Sequence, residues 1–355
     1  MTQKDYHLHK NYGFVSSSQD IKDLKESDVI YDWNSAYRKN PITSQKVEFV
    51  DETLRDGIQS PSVKDPSIDE KVKILHLMNS IGVTTANLGL PGAGLRAQQD
   101  VTRLCKEISD YHLNIQANCA SRTHAYDIIP IIEISQKTGV PIEVTSFLGS
   151  SPIRAYAEDW DISRLQKHVA ESMDLIVKAG LKASFVTEDT TRSHPQTLDI
   201  LFRTAINHGA SRLVLCDTVG HATPDGLFNL IRFAKSIIDT TSENVQIDWH
   251  GHNDRGLSLT LCLHAIEWGV NRVHGTCMGI GERVGNAPLD LILLNLKLLG
   301  VIQNNLTSLQ EYVATVSKAT NFPIPVNYPL FGKDAFRTAT GVHAAAIIKA
   351  KKREH

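Results

Sequence analysis

Two histidines, His250 and His252 in the stretch Asp248-Trp-His-Gly-His-Asn-Asp-Arg-Gly256, stand two residues apart at the end of a short apolar run. Successive side chains on a β-strand alternate faces, so residues i and i+2 point the same way and the two imidazoles converge on one point, as a metal ion requires. An isolated His-x-His is equally well a pair of solvated loop histidines. A second polar cluster far upstream, Asp51-Glu-Thr-Leu-Arg-Asp-Gly-Ile-Gln59, also closes an apolar run. The two clusters can serve one site only in a fold that gathers strand ends.

Such a fold is written in the periodicity. From Val47 onward, short apolar runs alternate with longer amphipathic stretches, the pattern of strand, helix, strand in a parallel sheet. Strands are expected at 47–51, 84–88, 114–118, 142–146, 183–187, 212–216, 246–249 and 272–275. Helical patterns lie between them at 69–81, 162–179 and 224–238, the last opening on Thr223-Pro224, a good cap and first-turn pair. Eight strand–helix rounds over about 250 residues is the arithmetic of a closed (β/α)8 TIM barrel. A doubly wound open sheet is the alternative, but no Gly-x-Gly-x-x-Gly follows the first strand. Active sites of barrels collect at the C-terminal strand ends, and there the polar residues fall. Arg55, Asp56 and Gln59 follow the first strand and Asn87 ends the second; Glu188, Asp189 and Arg192 follow the fifth, Asp217-Thr218 the sixth, the histidines the seventh, and Gly279-Ile-Gly-Glu-Arg-Val-Gly-Asn286 the eighth.

The flanks differ from the repeating part. Residues 1–45 are polar, with Ser16-Ser-Ser18 early and Trp33 and Tyr37 late, and read as an extension packed on a larger body; the barrel takes 46–300. Residues 301–355 read as a small helical subdomain, with a helical pattern at 306–318 and a Pro/Asn-rich connector at 322–329. It closes on Lys349, Lys351, Lys352 and Arg353, a solvated basic helix end. The net charge of −2 gives no field to recruit nucleic acid or an acidic membrane surface. No run approaches the roughly 20 apolar residues of a membrane span and the first residues lack an apolar signal core, so a cytoplasmic protein acting on small molecules is expected. The five cysteines are scattered, without a Cys-x-x-Cys pair, and read as reduced core thiols.

Taken together, the strand-end strings resemble the pyruvate-carboxyltransferase-like metal enzymes: the 2-isopropylmalate, homocitrate and citramalate synthases, with hydroxymethylglutaryl-CoA lyase a more distant relative. The strings are Thr53-Leu-Arg-Asp-Gly-Ile-Gln59, Thr187-Glu-Asp-Thr-Thr-Arg192, Asp217-Thr-Val-Gly-His-Ala-Thr-Pro224, His250-Gly-His-Asn-Asp254, Gly275-Thr-Cys-Met-Gly-Ile-Gly-Glu-Arg-Val-Gly-Asn286, and Ala335-Phe through Thr340-Gly-Val-His343. The resemblance implies a synthase of amino-acid biosynthesis that joins the methyl carbon of acetyl-CoA to the keto carbon of a 2-oxo acid and then hydrolyses the thioester. It implies that Asp56, His250, His252 and Asn286 hold a divalent metal, with Zn, Mn and Mg all compatible with mixed ligands. Arg55 would steady the enolate or keto oxygen, Glu188 would belong to the base machinery, Gln59 would line the substrate site and Thr218 would bind the substrate carboxylate. His343 would come from a neighbouring subunit, which implies a homodimer.

Departures bear on specificity. Relatives often carry Glu where Asn87 stands and a polar residue where Ile58 stands. After the fourth strand, isopropylmalate synthases usually place a histidine and homocitrate synthases an arginine, whereas this chain reads Thr145-Ser-Phe-Leu-Gly-Ser-Ser-Pro-Ile-Arg154. Arg154 is the candidate to read a second carboxylate, and the side chain of the 2-oxo acid stays open. With no long region after the catalytic part, leucine inhibition through a regulatory domain is not expected. The alternatives are a carbon–carbon lyase, whose reactive cysteine is missing from Gly279-Ile-Gly-Glu-Arg-Val-Gly285, and a catalytically silent barrel that only binds.

Overall fold

The computed structural model describes residues 46–241 and 243–352, together with Ile30 and Trp33. The N-terminal extension, apart from those two residues, and Arg353 of the basic end lie outside the described residues. Eight parallel strands close into a barrel in sequence order. They are β1 (Glu48–Asp51), β2 (Thr85–Asn87), β3 (Gln116–Arg122), β4 (Glu143–Gly149), β5 (Ala183–Glu188), β6 (Ala210–Asp217), β7 (Gln246–Gly251) and β8 (Arg272–Gly275). β1 pairs with both β2 and β8, which closes the ring and leaves no sheet edge.

The helices of the outer layer are α1 (Ile68–Ser80), α2 (Leu95–Asp110), α3 (Ala125–Thr138), α4 (Pro152–Glu158), α5 (Ile162–Lys178), α6 (Pro195–Asn207), α7 (Pro224–Ile238), α8 (Ser258–Glu267) and α9 (Leu289–Leu298). Two more follow, α10 (Leu309–Thr320) and α11 (Gly341–Lys351). Local chemistry sets their starts. Ser67 and Glu70 form a reciprocal capping box on α1, and Thr223 Oγ1 accepts the Gly226 amide at 3.3 Å ahead of Pro224 in α7. The main core lies between barrel and helices, where β-branched and leucine side chains of both layers are fully buried.

Several strand bounds differ from the sequence reading. The third strand, expected at 114–118, is Gln116–Arg122, because Asn114 turns off the preceding loop with its amide on Asn79 Oδ1 at 2.8 Å. β4 and β6 run past their expected ends, and β7 extends through His250 to Gly251. The helix expected at 306–318 is α10, and α4 was not anticipated. α10 belongs to the barrel body: Tyr312 is fully buried and its hydroxyl donates to Asp51 at the end of β1. α11 is the opposite case, with no buried residue although Val342, Ile347 and Ile348 are apolar.

The barrel interior is ionic rather than oily below its mouth. Arg272 on β8, 1% exposed, donates through Nε to Asp248 at 2.7 Å and through Nη1 to Glu143 at 3.0 Å. Arg212 bridges Asp248 at 2.8 Å and Glu48 at 2.6 Å. Charges buried this deeply persist because each is paired and hydrogen-bonded. The two arginines together hold the Asp248 carboxyl far below the usual carboxylate range against the opposing effect of burial.

Candidate metal and substrate site

The end of β1 turns sharply to present Glu52, Arg55 and Asp56 to the barrel mouth. Backbone amides of Arg55 and Gly57 both close on the Glu52 carbonyl at 3.0 Å, and Thr53 Oγ1 accepts the Cys277 amide at 2.8 Å, tying the turn to β8. Across the mouth, β7 carries His250, and His252 follows with its amide on the Asp217 carbonyl at 3.1 Å. An isolated antiparallel bridge sets Asn286 beside His252. That bridge depends on a backbone turn with no spare room. Gly285 has φ +92°, and a Cβ there would sit 1.8 Å from the Gly279 carbonyl oxygen; one at Gly281 would sit 2.2 Å from Asn286 Nδ2.

Asp56, His250 and His252 converge. Asp56 Oδ2 lies 3.9 Å from His250 Nε2 and 3.7 Å from His252 Nε2. Two ligands each about 2.0–2.2 Å from one ion can be no more than about 4.4 Å apart, so Asp56 Oδ2 is within sharing distance of each imidazole, and all three atoms lie within 4.8 Å of one another. The donor chemistry agrees, because Asp56 Oδ2 and Asn286 Oδ1 are buried without a hydrogen-bond partner among the described residues. Asn286 Nδ2 is spent on the Ile280 carbonyl at 3.1 Å, which fixes the amide by its other end. Burial and the neighbouring His250 pull the His252 pKa down to about 4, so the imidazole is neutral and able to ligate at physiological pH.

A second layer holds the first. His250 Nδ1 lies 2.7 Å from Glu52 Oε2, and the same carboxylate receives Arg55 Nη2 and, at 3.4 Å, Asn87 Nδ2. His274 Nδ1 stands 3.4 Å from Glu52 Oε1 while its Nε2 is 3.2 Å from Asp248, joining the mouth to the ionic ladder below. Burial would raise the Glu52 pKa, but Arg55, His250 and His274 outweigh it and hold the carboxyl well below the usual range. Arg55 Nη1 donates to Asp56 Oδ1 at 2.7 Å, whereas its buried Nε has no acceptor among the described residues.

Above these groups opens a cavity of about 280 Å³, lined by the Asp56, His250 and His252 cluster and also by Arg55, Gln59, Glu188, Thr218 and Glu282. The profile of the HMGL-like family matches residues 46–316. The chain belongs to the HMGL-like family. This HMGL-like chain is 30% identical over 313 residues to the 2-isopropylmalate synthase of Methanocaldococcus jannaschii, an alignment covering 85% of the chain and 56% of that relative. It is 31% identical over 305 residues to the homocitrate synthase of Saccharolobus solfataricus, covering 85% of the chain and 64% of that relative. The chain thus spans little more than half to under two thirds of the length of these relatives. Among solved structures, the HMG-CoA lyase of Bacillus subtilis superposes with a TM-score of 0.66 at 18% identity, over 79% of this chain and 96% of that one. The carboxyl transferase domain of Rhizobium etli pyruvate carboxylase gives 0.60 at 15% identity, over 78% of this chain and 48% of that one. At such identities the likeness shows the fold.

In this HMGL-like chain the remaining site candidates fall at different depths. Glu188 ends β5 half-buried, its pKa raised by burial against the opposing charge of Arg154. Thr218 Oγ1 accepts the Asp189 amide at 2.8 Å at the cavity wall, and Gln59 is exposed at its rim. Arg283 pins the neighbouring loop by donating to Asp254 at 2.8 Å and to the Thr218 carbonyl at 2.6 Å. Arg154, on α4, does not line this cavity; it lines an adjoining one of about 310 Å³ that shares Phe147 and Glu188, with its guanidinium 3.3 Å from Glu158. His343 is exposed on α11, 3.5 Å from Thr338 Oγ1, and lines neither cavity. Asp189, Arg192 and Asp217 are structural: Arg192 forks onto Asp189 at 2.7 and 2.8 Å, and Asp217 caps the following turn through the His221 and Ala222 amides. All five cysteines are buried free thiols, Cys277 among them. Glu52 and His274 are the site residues that sequence reasoning left without a role. Among the described residues no helix is long and apolar enough to cross a membrane.

Proposed function

We propose that this protein condenses the methyl carbon of acetyl-CoA with the keto carbon of a 2-oxo acid and hydrolyses the resulting thioester, giving a 2-alkylmalate-type product. The observation that carries the reading is the meeting of Asp56 Oδ2 with the two imidazole Nε2 atoms beside the orphaned Asn286 amide oxygen. Similarity to a 2-isopropylmalate synthase and a homocitrate synthase supports the synthase direction, as does the absence of cysteine from Gly279-Ile-Gly-Glu-Arg-Val-Gly285.

A divalent cation held by Asp56, His250, His252 and Asn286, whether Zn, Mn or Mg, would supply Lewis acidity and a template for the 2-oxo acid. Thr218 hydrogen-bonds the substrate carboxylate, and Gln59 closes the rim. Glu188 takes a proton from the acetyl methyl group, whose carbon then bonds to the keto carbon. Arg55, permanently charged and braced by two carboxylates, stabilises the oxygen on which negative charge develops. His343 of a second copy protonates the new alkoxide and later assists water in displacing the coenzyme A thiolate. The exposed apolar residues Val342, Ile347 and Ile348 of α11 support a homodimer in which α11 of one subunit completes the site of the other.

A free-thiol assay tests the reading. Metal-loaded protein is mixed with acetyl-CoA and each of a panel of 2-oxo acids. Coenzyme A release dependent on one of them is expected; silence with all would leave a binding protein, and cleavage of a 3-hydroxyacyl-CoA instead would make it a lyase.

A further inference from the structure

The cavity has two unlike sides. β7, β8 and β1 are consecutive around the closed barrel and, with the loops that follow them, bring the metal cluster and, Asn87 of β2 apart, its support, while β3 to β6 form the opposite arc. That arc lines the cavity mainly with Ala120, Phe147, Val186, Val214 and Cys216, joined by Thr145, whose hydroxyl accepts Asn118 Nδ2 at 2.5 Å, and by Glu188 at the end of β5. Val186, Val214 and Cys216 form a small apolar cluster of their own, with Phe147 against it, separate from the main core. One step down the same inward-facing rows stand Ser184 on β5 and Arg212 on β6, members of the polar interior. The apolar patch therefore sits on a polar floor and continues no hydrophobic core. The sides it turns to the cavity are left for whatever enters there.

Charge in the cavity points the same way. Arg55 is its one permanently cationic lining residue among the described residues, and its two terminal nitrogens are engaged by Glu52 and Asp56. The charged residues farther out, Glu188 and Glu282, are acidic. Within this cavity a second carboxylate reaching across the mouth would meet a largely apolar wall and repulsion from Glu188, while the Arg154 guanidinium lies in the adjoining cavity, paired with Glu158 at 3.3 Å.

We infer that the 2-oxo acid is a monocarboxylate with a short aliphatic side chain, and that Phe147, Val186, Val214 and Cys216 are the residues that read it. The inference rests on the proposed condensation and narrows its substrate class. A 2-oxo acid held by its carboxylate and keto oxygens beside Asp56, His250 and His252 would have its side chain facing β3–β6. The volume of about 280 Å³, shared with the acetyl end of the thioester, leaves room for an alkyl group of a few carbons. Each methylene gained or lost against such a wall changes discrimination by roughly 10- to 200-fold.

The test uses metal-loaded full-length protein and two readouts. Calorimetry without acetyl-CoA measures binding of 2-oxobutanoate, 3-methyl-2-oxobutanoate, 2-oxoglutarate and oxaloacetate, and coenzyme A release gives kcat/KM for each. The aliphatic acids are expected to lead both diacids by at least tenfold in both measurements. Phe147→Ala is expected to move the preference toward a longer side chain such as 4-methyl-2-oxopentanoate. A diacid leading the panel, or an unchanged order in a folded Phe147→Ala variant, overturns the inference and leaves the condensation standing. Failure of every 2-oxo acid to bind or to release coenzyme A overturns the condensation itself.

Discussion

His250 Nδ1 lies 2.7 Å from Glu52 Oε2, so a carboxylate from β1 orients an imidazole on β7 whose other nitrogen faces Asp56. A ligating histidine held in this way presents one tautomer at one angle, and loss of the orienting carboxylate costs about 10- to 100-fold in metal affinity. Glu52→Gln is therefore expected to fold but to lose its cation to a competing chelator at correspondingly lower chelator concentration. Unchanged metal retention would show that His250 is positioned by something else.

The proton-abstracting role proposed for Glu188 would have a pH signature. Burial lifts its pKa above the usual carboxylate range and Arg154 opposes the lift. A base works only when ionised, so kcat/KM should rise with pH through this raised value and fall away below it. Arg154→Met removes the opposing charge and should carry the acidic limb to higher pH, while Glu188→Gln should abolish turnover yet retain metal. A limb that stays in place in Arg154→Met would dissociate the limb from Glu188.

If His343 acts across a dimer, two inactive variants should rescue each other. His343→Ala keeps Glu188 and Glu188→Gln keeps His343, so mixed dimers contain one complete site. Co-refolded mixtures should regain turnover that neither variant shows alone. Sedimentation should give a dimer, and a monomer with full activity would remove the shared site altogether.

The ionic floor of the barrel should be costly to breach. Arg272→Met strands Asp248 and Glu143 with fewer partners, and breaking a buried pair in this way typically costs about 3–5 kcal/mol, read as a shift in the denaturation midpoint. Tyr312→Phe, which leaves Asp51 short of a donor at the foot of α10, should cost about 1–3 kcal/mol. A Tyr312→Phe protein as stable as the parent would mean that α10 is not held through this bond.

Much of the site was readable because its residues obey simple spacing. His250 and His252 are two apart on and beyond β7, and Asp56 follows the end of β1, so strand alternation and barrel closure suffice to join them. Glu52 was in plain view within the same polar string, but its partner His250 comes from another strand, and only the closed ring shows which nitrogen it touches. His274 looked like an ordinary member of a short strand. Its signal was periodic: stepping back by twos from His250 reaches Asp248, and from His274 reaches Arg272, so a charged inward row was present at strand period. β3 buries Asn118 and Ser121 where an apolar run would mark a strand, so hydrophobic periodicity places it too early. Arg154 depends on α4, a seven-residue helix too short to leave a periodic trace.

The turn from Gly279 to Asn286 is packed to contact, and even one added methyl group at Gly285 would collide with main chain. The glycines of that turn give mutation little to work with, so the backbone beside the candidate ion ligands is tightly constrained. The facing wall is made of side chains, not of glycine backbone. Descendants of this chain could therefore acquire new appetites by altering that wall alone, inheriting the chemistry intact.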